Sequence, residues 1–212
     1  MKSTVQLMRT LSAEARRAGQ QQRDTMWDQA GEVAESFVVE HREHPQLVLL
    51  RVHAALIQLA RGELEQFEAE VAPDRETAMQ KARQGLREGI RNLARLEREL
   101  PAMMPQTPRR AEGEQLTAGE LISLHNNVRY QLGRAYRNQA LSYPAEGDDR
   151  IAALQRAATQ LEKPLTQLAE EDPLTVEVIR ELASCLRLQG KLELAMQQLA
   201  RFDEMVLPTP QL

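Results

Sequence analysis

A chain of 212 residues with 42% apolar and 27% charged content has enough of both to bury a core, which excludes a disordered polyelectrolyte. Aromatics make up only 3%, and Ala, Leu, Gln, Glu and Arg dominate, so the composition predicts an all-α protein. A net charge of −4 gives no overall basicity for nucleic acid, one cysteine excludes an intrachain disulfide, and no apolar run approaches the roughly 20 residues that span a bilayer.

The first residues, Met1 to Arg9, lack a signal-peptide core because Arg9 and Glu14 interrupt it, which leans towards a cytoplasmic setting. Helical periodicity predicts helices over 4–18 and 24–43; on the second, Trp27, Ala30, Ala34 and Phe37 share one face. His41 and His44 stand three apart, the start of a two-ligand metal site, but they also lie in the last turn before Pro45, where histidines complement the helix dipole. No metal is assigned on that spacing. A third helix over 46–60 is expected to break at Arg61-Gly62, with a short helical stretch following to 71.

Residues 75–100 give the clearest helix, with Met79, Ala82, Leu86, Ile90, Leu93 and Leu100 in one stripe. Opposite that stripe, Arg83, Arg87, Arg91, Arg95 and Arg98 form a basic row that can meet a polyanion. No aromatic residues interleave for base stacking, and an amphipathic helix with a solvated arginine face is the plainer account of the row. The Pro-, Arg- and Gly-containing loop at 101–116 is the one sub-boundary within an otherwise single domain over 1–212. Thr117 to Glu120 fits a capping box and starts a helix that reaches 142. Further helices are expected over 149–170, kinked at Pro164, and over 174–189 and 191–206, for seven to nine in all. Cys185 falls on a packed face and reads as a buried, inert thiol.

The segment 128–137 superposes on 178–187 at an offset of 50, matching Leu132-Gly133 with Leu182-Ala183 and Arg137 with Arg187. Residues 176–208 resemble a tetratricopeptide repeat. Ile179, Leu182, Ala183, Leu186, Gly190, Ala195, Leu199, Phe202 and Pro208 fall on its signature positions, Pro208 one place late. The unit 126–173 is similar through Leu132, Gly133, Tyr136, Ala153 and Ala157, with an insertion at 143–150. In the first half, Ala30, Ala34, Phe37 and Pro45 echo a second repeat helix, and Arg61-Gly62-Glu63-Leu64 echoes Gln189-Gly190-Lys191-Leu192. The resemblance implies a TPR-like α-solenoid of antiparallel hairpins, with spacings of roughly 40 to 60 residues in place of the regular repeat.

The resemblance also implies that the first helix of each pair lines a groove. The groove positions are then Asn127, Tyr130, Arg134, Arg137 and Asn138, followed by Glu177, Arg180, Ser184 and Arg187. Arginines on such a groove can pair with carboxylates of an acidic peptide, as in the carboxylate-clamp members of the family. This chain offers Arg and Tyr where those members place Lys and Asn, and a solvated face with Glu partners is the plainer account. Phosphate-binding Gly-rich loops, His-Glu-x-x-His, paired cysteines and nucleophile elbows are all missing, so neither an enzyme nor a cofactor is expected. The expected partner is a protein or peptide, with nucleic acid disfavoured. The last helix, rich in Leu192, Leu194, Met196, Leu199, Met205 and Val206, is expected to meet a second copy or a continuation of a longer chain.

Overall fold

The computed structural model describes residues 2–107, 110 and 113–204. Eight α-helices and no strand occur among them, as the composition predicts. They are Lys2–Ala15 (α1), Gln20–Glu40 (α2), Leu47–Ala69 (α3), Arg75–Met103 (α4), Ala118–Leu141 (α5), Asp148–Leu165 (α6), Pro173–Leu188 (α7) and Leu192–Glu204 (α8). The chain divides between Ile122 and Ser123 into two compact units, so the first turn of α5 belongs with the first unit. Pro208, Met205 and Val206 lie outside the described residues.

Local chemistry sets the helix ends. The Asp74 carboxylate accepts from the Thr77 amide at 3.2 Å ahead of α4, and the Asp172 carboxylate accepts from Leu174 N at 2.9 Å ahead of α7. At α5 the expected capping box is complete: Thr117 N donates to Glu120 Oε2 at 2.8 Å, and Glu120 N donates to Thr117 Oγ1 at 3.2 Å. Gly190, at φ +76, turns the chain out of α7, a conformation that a side chain would strain.

In the first unit α3 and α4 form an antiparallel hairpin held close by small residues. A Cβ on Gly62 would lie 2.8 Å from the Leu86 amide nitrogen, and one on Gly89 would lie 2.6 Å from Leu59 Cδ2. The break expected at Arg61-Gly62 is therefore absent, and α3 runs unbroken to Ala69. The residue that weakens the helix locally is what lets α4 approach, and the contact outweighs roughly 1 kcal/mol of intrinsic cost. Pro101 likewise does not stop α4, which continues to Met103, and Pro164 sits in the last turn of α6 rather than at a mid-helix kink. In both places only one or two helical residues follow the proline, so the lost amide bond and any bend displace little of the helix. Met8, Ala34 and Leu50 join α1, α2 and α3 in a second apolar cluster of this unit.

In the second unit Gly133 of α5 meets Leu161 of α6, where an added Cβ would lie 2.4 Å from Leu161 Cγ. One core gathers Tyr130, Ala157, Leu161, Val178, Leu182, Ala183, Cys185, Leu186 and Ala195. Two residues on the repeat's signature positions stand outside that core: Leu199 is exposed, and Phe202 is half-buried. Helix α8 turns a narrow edge of Ala195, Gln198 and Phe202 inward, and Leu199, about 40° round from Ala195, falls on the solvent side of that edge.

Candidate protein-interaction surfaces

Helices α5 and α7 lie side by side in the second unit, and their touching pairs run in the same sense along both. The Tyr130 hydroxyl donates to Glu177 Oε2 at 3.5 Å, and Arg137 Nε stands 2.8 Å from Glu181 Oε2. The first helices of successive hairpins are thus brought together, and with them most of the residues that the repeat resemblance assigns to a groove. Asn127, Arg134, Arg137, Asn138 and Ser184 are half-buried, Tyr130 is buried, and Arg180 and Arg187 are exposed.

Their charges are not all available to a ligand. The Arg137 guanidinium faces Glu181, whose side chain is only 11% exposed; the facing atoms are not aligned as a hydrogen bond, so the contact is chiefly charge against charge. Arg180 pairs with Glu177 one turn earlier on its own helix. Arg134 Nη1 approaches Gln131 Oε1 at 3.3 Å. Burial, with Glu181 beside it, pushes the Tyr130 phenol above its ordinary range. Two of the four arginines, Arg137 and Arg180, thus face glutamates, and Arg187 stands exposed in the last turn of α7. Glu181 is the residue that sequence reading passed over. Its signal was present, since Glu177 and Glu181 recur at a four-residue spacing on the same side of α7 as Ser184.

The arginine row on α4 is less uniform than its spacing suggests. Arg83 is drawn in and pairs with Glu76 at 2.9 Å, and Arg95 lies 3.8 Å from Glu99, which Arg51 also holds at 2.6 Å. Arg98 donates to its own helix at Ala94 O. Arg87, Arg91, Arg95 and Arg98 remain at the surface.

The two histidines that follow α2 are held by packing. The Phe37 ring packs on both His41 and His44, at 4.4 and 5.6 Å between centroids, and His44 Nε2 lies 3.3 Å from Glu114. Among the described residues no three His, Cys, Asp or Glu side chains gather closely enough to hold a metal ion. His125 is buried. Arg9 donates to His53 Nε2 at 3.3 Å, and burial together with the Arg9 charge lowers the His53 pKa. Burial pushes the Cys185 thiol up to about 12, far from a reactive thiolate at neutral pH. On α8, Leu192, Leu194, Met196 and Leu199 are exposed. No helix among the described residues is long and apolar enough to cross a membrane.

No family profile and no curated protein matches the chain. Among solved structures it is similar to the nearly identical TPR-like repeats of a candidate kinesin light chain from Podosopora anserina. The identity is 17%, with 95% of both chains covered and a TM-score of 0.35. A single-substitution variant of that protein gives 17% identity, 95% and 94% coverage and a TM-score of 0.36. A likeness this loose carries no residue-level correspondence.

Proposed function

We propose that this chain is a non-enzymatic, TPR-like protein-interaction module whose second unit receives an acidic peptide segment on the α5/α7 face. The observation that carries the reading is the pairing of two parallel helices with an arginine excess, Arg137, Arg180 and Arg187 against Glu177 and Glu181. Arg187 and Arg180 meet a ligand carboxylate first, because they are exposed. Tyr130 and Arg137 act as the fixed floor, and Asn127 offers an amide along α5.

Reversing Arg137 is a poor test, because a glutamate there would face Glu181 across the helix pair and disturb the fold. Arg180→Glu/Arg187→Glu changes two surface positions and leaves the core untouched. The helical circular dichroism is expected to survive. Affinity for a glutamate-rich synthetic peptide, read by fluorescence anisotropy, is expected to fall at least about tenfold. Equal binding of that peptide and its glutamine counterpart, or an affinity unchanged in the double variant, would remove the α5/α7 face from consideration.

A further inference from the structure

A trough runs between α2, α3 and α4 of the first unit, with a volume of about 460 Å³. It continues past Trp27, Arg61, Glu65 and Lys81 into a second recess of about 330 Å³. Its floor is apolar, made by Trp27, Ala34 and Ile57, and Gly31 opens onto it with no atom within 4 Å of where a Cβ would stand. The larger recess is lined by five carboxylates against two cations. Arg61 is already shared by Asp28 at 2.8 Å, Asp24 at 3.4 Å and Glu65 at 3.5 Å, while Lys81 reaches Glu65 at 3.2 Å. Glu32, Glu35 and Glu88 are left facing the trough with no cationic partner among the described residues.

We infer that this trough is a docking site for a lysine- or arginine-bearing segment of a protein partner. Charge complementarity selects the occupant. Uncompensated carboxylates over an apolar floor repel phosphates and acidic peptides, and they favour a chain that brings both cations and aliphatic stems. The spacing selects a linear cation over a metal ion. Asp28, Glu32 and Glu35 climb one side of α2 over two helical turns, roughly 10 Å, instead of converging on a point. This site lies in the other unit from the acidic-peptide face proposed above and is of opposite charge, so it does not rest on that reading.

Trp27 is the sole tryptophan, so its emission reports on this trough without a label. The probe is a synthetic peptide carrying lysines and leucines at helical spacing and no aromatic residue, titrated into the full chain. A saturable change in Trp27 emission is expected, weakening as salt is raised. Glu32→Lys/Glu88→Lys is expected to weaken binding at least about tenfold, Glu32→Gln/Glu88→Gln by less, and Gly31→Leu to block the trough, all with circular dichroism intact. Arg180→Glu/Arg187→Glu is expected to bind this peptide like the unchanged chain. The inference is overturned by a flat Trp27 titration, or by affinity that survives both the charge-reversed and the Gly31→Leu variants. It is overturned equally if sedimentation shows a dimer that Glu32→Lys/Glu88→Lys splits, since the occupant would then be a second copy.

Discussion

Two glycines in helix interiors show how a residue's surroundings decide the sign of a substitution. Gly31 in α2 has nothing within 4 Å of an added Cβ, so Gly31→Ala gains helix propensity without a clash. Gly62 in α3 would place its Cβ 2.8 Å from a backbone nitrogen of α4, which cannot swing aside as a side-chain tip can. Gly31→Ala is expected to stabilise the first unit by up to about 1 kcal/mol in urea unfolding. At Gly62 the same propensity gain is opposed by forced separation of two packed helices, at about 1–3 kcal/mol, so the net effect is destabilising. A stabilised Gly62→Ala variant would mean that α3 and α4 do not approach at this point. The same contrast explains what a sequence conceals. Both glycines look alike in their local context, and only the position of Leu86 separates them.

At the scale of the element, the α7/α8 hairpin separates two leucines that the repeat resemblance placed together. Leu186 is 7% exposed inside the core, whereas Leu199 is 41% exposed. Leu186→Ala is expected to cost about 2–5 kcal/mol and Leu199→Ala less than about 0.5 kcal/mol, measured as the shift in urea unfolding free energy. Equal losses at the two sites would show that α8 is rotated from the orientation described. Signals confined to a few neighbouring residues were legible in the sequence: the Thr117–Glu120 capping box, the exit at Gly190, and the 75–100 stripe. The candidate face on α5 and α7 was legible as a list of arginines but not as a charge balance. The partner of Arg137 is 44 residues away in the chain, and only packing brings Glu181 to it. The acidic trough was half-legible. Asp24, Asp28, Glu32 and Glu35 recur at helical spacing on α2, yet Glu65 and Glu88 join them only once three helices have packed.

For the whole molecule, a net charge of −4 averages two surfaces of opposite sign, an acidic trough in the first unit and an arginine-rich face in the second. No lining residue is common to them, and each draws its charge from its own helices. The two surfaces are therefore expected to act independently. The glutamate-rich peptide should lose affinity only in Arg180→Glu/Arg187→Glu, and the lysine-leucine peptide only in Glu32→Lys/Glu88→Lys. In the chain carrying all four substitutions, each peptide's loss should match its single-site value to within about 0.5 kcal/mol, because perturbations with no shared partner add. Both affinities should also fall with ionic strength, since surface charge governs each encounter. A departure from additivity beyond about 1 kcal/mol would tie the two surfaces energetically through α5, the helix that spans the division between the units.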